Sequence, residues 1–338
     1  MVNGLGAALL FGVSAPVAKL LLPGSGPFML AGLLYLGSGL GLLALAPLRG
    51  AARETPLRRG DLAPLVGMVV AGGIAAPLLL MFGLGRLPGS TASLLLNLEA
   101  PFTIALAVVV FGDSLGRREA LGAGAVVLGG VVLGLPDAVG RVEVVGMLAV
   151  AAACFGWALD NNLSQRLALH DPVSVVRVKS LVAGGMNVVL ALAVGEHIPA
   201  RAALVGAFLT GFLGYGMSIV LYLRAVREVG AARQAALFAI APFAGACVAV
   251  PLLHEHVGVR DVGAGLVMAF GVSLMLRARH GHLHQHLALE HEHVHVHDEH
   301  HRHEHAEGVM EPHSHPHRHA PLIHDHAHLP DAHHRHAH

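Results

Sequence analysis

The chain has 338 residues, of which 54% are hydrophobic and 13% charged, with a mean hydropathy of +0.62. That balance lies far outside the soluble globular range and makes the body of the chain an integral membrane protein. The formal net charge is zero with histidines neutral. No nucleic-acid partner is expected; the partners are the lipid bilayer and a small-molecule substrate, with a homodimer left open.

A bilayer-crossing helix takes about 20 apolar residues, and ten such stretches follow one another. In the first half they are expected at roughly 3–22, 27–48, 62–84, 88–111 and 118–136. In the second half they fall at roughly 142–163, 173–194, 202–223, 231–253 and 259–277. The opening stretch contains Pro16 and Lys19, with neither a basic leader nor a small-residue cleavage site, so it reads as a retained span. The 42 glycines, set against 4% aromatic residues, suit helices packed closely in lipid through small side chains. Cys154 and Cys247 lie in separate apolar stretches, so neither a disulfide framework nor a thiolate metal site follows. If the N-terminus is cytoplasmic, the loops on that side carry fourteen lysines and arginines; the other side carries four, Arg86, Arg141, Arg201 and Arg260. This asymmetry predicts a multi-pass protein of the cell (inner) membrane with both termini in the cytoplasm.

A shift of 141 residues aligns 80–133 with 221–274 without a gap, setting Gly89 on Gly230, Pro101 on Pro242, Phe102 on Phe243 and Gly130 on Gly271. A less regular match near 146 sets Phe11 on Trp157. Each half is therefore one copy of a five-helix unit. Because five is odd, the second copy enters the membrane from the opposite side, giving inverted repeats. Pro101 and Pro242 are expected to free backbone carbonyls mid-span, either toward a central pathway or as kinks that serve packing.

The stretch GSTASLLLNLEAPFTIALAVVVFGDSLGRREALGAGAVVLGG, residues 89–130, resembles the EamA domain of the drug/metabolite transporter superfamily, and GAARQAALFAIAPFAGACVAVPLLHEHVGVRDVGAGLVMAFGV, residues 230–272, resembles its second copy. The resemblance implies an all-α integral membrane fold of ten transmembrane helices in two inverted-topology five-helix repeats. It also implies transport of small solutes, often outward, without fixing the substrate. The domains are then 1–137, 138–279 and a tail over 280–338. An acidic residue commonly follows the fourth and ninth spans in that family, and Asp113 and Glu255 stand at about those positions. Here the second reads His254-Glu255-His256, which departs from the usual Gly-Glu.

Glu99 is expected near the middle of the fourth span, two residues from both Asn97 and Pro101. A bare carboxylate there costs several kcal/mol in hydrocarbon, so it should face the protein interior. It can bind a cationic group of the substrate, exchange a proton in a coupled cycle, or serve as a helix–helix contact. Asp160, with Asn161 and Asn162, comes late in the sixth span near the cytoplasmic face, where water and Arg166 or Lys179 can satisfy them, which favours a structural helix-end role over a substrate contact. Lys19 and Tyr35 are further substrate candidates, although the stem of Lys19 can also snorkel to headgroups, as can those of Arg177 and Lys179. His254, Glu255 and His256 form a candidate outer metal contact with few ligands.

The tail holds 23 of the 27 histidines, with three arginines against nine acids. Alternation runs through His291, His293, His295 and His297, then His300, His301, His303 and His305, then His313, His315, His317 and His319. Imidazole and carboxylate ligands without cysteine favour zinc, nickel or cobalt at several sites of modest affinity. Too few apolar side chains remain for a core, so the tail is expected to be disordered without metal. No phosphate-binding loop, nucleophile arrangement or HExxH motif is present, so neither an enzyme nor a required cofactor is expected.

The function these features support is a secondary active exporter of a small solute working by alternating access, with a metal-binding tail. One alternative is a divalent metal transporter that uses the tail as sensor or buffer. Another is a membrane-anchored metal buffer without transport.

Overall fold

The structure is a computed structural model; it describes residues 1–46, 59–111, 115–135, 143–164, 167, 170–229, 231–277 and four tail segments, 280–286, 289–295, 313–319 and 322–328. Among the described residues, ten helical rods form the body in the order of the apolar stretches. The first three are Val2–Leu21, Pro27–Leu45 and Leu62–Leu84. The fourth is built from Gly89–Leu95 and Glu99–Phe111, joined by a 3-10 turn at Leu96–Leu98. The fifth is Arg117–Leu133, and the sixth and seventh are Val144–Ser164 and Pro172–Ala193. The eighth joins Arg201–Gly211, Phe212–Met217 and Ser218–Val229, continuing past its expected end. The ninth joins Ala231–Phe238 and Ala241–Leu253, and the tenth is Val259–Leu276.

Among the described residues, nine rods are long and apolar enough to cross a membrane by length and composition. The fifth, with 17 residues, opens on Arg117, Arg118 and Glu119, so its apolar part is shorter than the sequence suggested. At 1.5 Å per residue it still reaches about 25 Å.

Packing follows the repeat. Span one lies against spans eight and nine, and its counterpart, span six, lies against three and four. Span two meets eight as span seven meets three, while two packs on seven, four on nine and five on ten. These contacts map onto one another when the halves are exchanged, as an inverted repeat requires. Spans five and ten cross where Gly122 faces Gly271; a Cβ on either would stand 2.6 Å from the other's carbonyl oxygen. Only glycine permits that approach. Both spans begin alike, with the carboxylate of Glu119 or Asp261 accepting from the backbone N–H of Gly116 or Gly258, each at 2.9 Å. Leu30, Leu34, Met81, Leu84 and Met268 are buried inside, whereas Val109, Leu121, Val259 and Leu266 are exposed on the outer surface that lipid covers.

Two irregularities also recur at matching places. The third span carries a π-helical stretch at Val69–Ala75 and the eighth one at Phe212–Met217, a geometry that displaces carbonyls from the regular helical ladder. In the fourth and ninth spans, Pro101 and Pro242 stand in the first turn of the second half-helix. There the missing N–H costs no helical bond. The prolines therefore start new helices after a break and do not interrupt a continuous one, as mid-span positions had suggested.

In the tail, strand β1 (His280–His286) pairs antiparallel with β4 (Leu322–His328), and β2 (Leu289–His295) with β3 (His313–His319). The register sets His282 opposite His326 and His293 opposite His315. Composition predicts a tail without fixed structure; in these four segments the two-residue period of HxH matches the pleat of a strand. His297, His300, His301, His303 and His305 lie outside the described residues, as do Asp113 and Arg166.

Candidate functional site

Glu99 opens the second half of the fourth span, directly after the 3-10 turn. It faces the sixth span, where Asn161 Nδ2 donates to its Oε1 at 2.7 Å. One residue earlier on that span, Asp160 forms an ion pair with Lys179 of the seventh. The two side chains are 9% and 12% exposed. Lys179 engages Oδ2, while Oδ1 of Asp160 has no hydrogen-bond partner. Asp160 is seated on Gly72 of the third span, where a Cβ would stand 2.4 Å from its Oδ2. Asp160 and Lys179 are also near enough to Glu99 for their charges to act on its carboxylate.

The π-helical stretch supplies the floor of this cluster. The Gly72 carbonyl accepts from Tyr35 Oη at 2.6 Å and from Trp157 Nε1 at 3.1 Å, and the Gly73 carbonyl accepts from Asn187 Nδ2 at 3.0 Å. Displaced carbonyls at membrane depth need such donors, since no lipid group can satisfy them. Tyr35 is in turn within electrostatic reach of both Asp160 and Glu99. Spans two, three and four of the first half and six and seven of the second thus contribute to one polar cluster, buried at Asp160 and Asn187 and exposed at Asn161.

The structure brings three of the sequence candidates, Glu99, Asp160 and Tyr35, into that cluster, and leaves the others elsewhere. Asn97 is buried and donates to Leu94 O at 2.8 Å, closing its own turn. Lys19 Nζ donates to the carbonyls of Leu84 and Leu87, which ties the first span to the connection between the third and fourth. Beside it, Glu255 accepts from the backbone N–H and the hydroxyl of Ser90 at 2.9 and 2.7 Å and from the Gly89 N–H at 2.5 Å. A carboxylate there caps the exposed amides of the fourth span's first turn and answers its dipole. His254 adopts the left-handed conformation at the end of the ninth span, with φ 52°. Among the described residues, no three His, Cys, Asp or Glu side chains gather closely enough to hold a metal ion.

Sequence reasoning assigned no site role to Lys179, Trp157 or Tyr215, and read Asn161 as a helix-end residue. A lysine eight positions into a span reads as a snorkelling side chain, and only the facing Asp160 shows that it turns inward. For Trp157 a signal existed: it is the only tryptophan of the chain and it aligns with Phe11 in the other half.

The chain matches the EamA-like transporter family twice, over residues 1–135 and 144–277. An "Uncharacterized transporter" of Methanothermobacter thermautotrophicus is 30% identical over 294 residues, covering 80% of this chain and 83% of that protein. A "Probable amino-acid metabolite efflux pump" of Salmonella typhimurium is 28% identical, covering 77% and 89%, and one of Escherichia coli with the same description is 27% identical with the same coverage. A crystal structure at 19% identity superposes with a TM-score of 0.59, covering 82% of this chain and 97% of that one, and supports the fold. With its two five-helix halves and both family matches spanning them, the chain belongs to the EamA-like transporter family and is a multi-pass membrane transporter of small solutes.

Proposed function

We propose that the protein is a secondary active exporter in the cell membrane that moves its cargo by alternating access, with both termini in the cytoplasm. The observation that carries this reading is the cluster of Glu99, Asn161, Asp160 and Lys179, drawn from both halves of an inverted repeat. Charged groups inside a membrane bundle are costly, and they persist where they meet a cargo, an ion or a proton. In this reading Glu99 binds the cargo and exchanges a proton, so that inward proton movement drives outward solute movement. Rocking of the two halves about their shared seams opens the cluster to one face and then the other. The relatives described as efflux pumps favour the outward direction. The tail, with its histidine-rich strands, binds zinc, nickel or cobalt on the cytoplasmic side.

The test compares cells making the full-length protein, Glu99→Gln, and a version ending at Arg279, at matched membrane levels. The reading expects at least one organic solute to rise in the medium with the first and third proteins but not with Glu99→Gln. Cell-associated nickel, cobalt and zinc, measured by mass spectrometry, should depend on the tail alone. A metal change that requires Glu99 would overturn this reading in favour of a metal transporter.

A further inference from the structure

The cluster has a charge balance and an aromatic border that narrow its cargo beyond a small solute. Two carboxylates, Glu99 and Asp160, face a single ammonium, Lys179, which is already engaged by Asp160 Oδ2. What remains open are acceptors. Asp160 Oδ1 meets no donor although the residue is 7% exposed, and a buried polar atom left unmade costs about 1–3 kcal/mol. Of the Glu99 oxygens, Oε1 takes the Asn161 amide. Among the described residues, no cation in the cluster stands uncommitted to receive a carboxylate.

Two aromatic residues, Trp157 and Tyr35, stand beside these acceptors on the Gly72 carbonyl, and further rings continue from them. The chain has one tryptophan and three tyrosines, and all four belong to one connected group. Trp157 and Tyr35 share the Gly72 carbonyl. The Tyr35 ring stands 5.7 Å from that of Tyr215, Tyr215 stands 6.0 Å from Phe11, and Phe238 lies 5.2 Å from both Phe11 and Tyr222. Simple core filling would bury such rings. Here the largest fully buried side chains are Met, Leu, Gln, Val and Asn, and none is aromatic. Trp157, Tyr35, Tyr215 and Phe11 each keep part of their surface open. Half-buried aromatic side chains near a buried carboxylate oxygen that meets no donor suit an ammonium attached to an apolar body, through charge and cation–π attraction together.

We propose that this site takes a monocationic amine with an apolar, ring-sized body, and that it discriminates against solutes carrying a carboxylate, amino acids included. The proposal rests on the transport reading of the cluster and adds the cargo class. Lys179 then acts as the resident cation with which an incoming amine competes for Asp160.

Because Trp157 is the only tryptophan, its fluorescence reports on the site directly. The full-length protein in detergent micelles is titrated with phenethylamine, phenylalanine and phenylacetate, which share one ring and differ in charge, and calorimetry on the same samples covers a silent tryptophan. The expected result is saturable binding of phenethylamine, weaker binding of phenylalanine by about tenfold or more, and none of phenylacetate over the same range. Glu99→Gln should weaken phenethylamine binding by about tenfold or more, and Lys179→Gln should tighten it. The opposite sign of the second variant keeps the test decisive if the first one folds poorly. Equal or tighter binding of phenylalanine or phenylacetate overturns the proposal, as does the absence of saturable amine binding to folded protein. Glu99-dependent export of an acidic or zwitterionic solute would overturn the cargo class while leaving transport standing; saturable amine binding without any Glu99-dependent export would do the reverse.

Discussion

At the position where the fourth span carries Glu99, the repeat places Ile240 in the ninth, and Ile240 is 42% exposed. The two halves share their π-helical stretches, their broken spans and their proline-started half-helices, so the backbone is symmetric where the ionisable residues are not. Symmetry in the backbone gives two packings of similar energy that can interchange, which alternating access needs. Asymmetry in the side chains gives, among the described residues, one such charged cluster rather than two. In the proposed cycle the symmetric fold supplies the motion, and the first half, with spans six and seven, supplies the chemistry.

The largest effect should come from breaking the symmetric backbone. A Cβ on Gly211 would stand 1.9 Å from the carbonyl oxygen of Leu34, across the contact of spans eight and two. Gly211→Leu should cost about 3 kcal/mol or more, seen as loss of a monodisperse, cooperatively melting protein in detergent. Next, Glu99→Gln should lower export by about tenfold or more while leaving the melting temperature within a few degrees, since the amide keeps the shape but not the charge. Adding Ile240→Glu to that variant should not restore export, because spans one and two carry Ser14, Ala15 and Ser38 where the repeat sets Asp160, Asn161 and Lys179.

Asp160→Asn strands Lys179 inside the bundle and should destabilise by about 3 kcal/mol, measured by denaturation in detergent. Adding Lys179→Met should recover most of that loss, and a failure to recover would mean that the pair does not act as a unit. Tyr35→Phe removes one of two donors to the Gly72 carbonyl and should cost about 1 kcal/mol. The smallest effect is expected from ending the chain at Arg279. Export and melting should be unchanged, and only the metal bound per protein should fall.

Much of the fold was legible because a membrane helix needs a long apolar run, and short Gly, Pro and Arg connections separate those runs. The repeat was legible from Gly89 with Gly230 and Pro101 with Pro242. Glu99 was legible because a carboxylate amid leucines has few reasons to be there. The ion pair of Asp160 with Lys179 was legible only as one alternative among several, since near a span end water, headgroups or Arg166 can also satisfy a charge. The π-helical stretches were hidden for another reason: Val69–Ala75 has an ordinary apolar composition, and nothing local in it marks the stretch that packs against spans six and seven. Glu255 looked like part of a metal contact because its neighbours in sequence are histidines, whereas its partners, Gly89 and Ser90, are 166 and 165 residues away.

The central claim is that the asymmetric cluster is carried between the two membrane faces by the symmetric bundle. It is tested most directly by placing a cysteine at Asn161, which is exposed beside Glu99, in a chain with Cys154 and Cys247 replaced. Membrane-impermeant maleimide is then applied to oriented vesicles from each side in turn. The account predicts labelling from both sides, with a rate that shifts when a pH gradient is imposed. Labelling from one side alone, unchanged by the gradient, would contradict it.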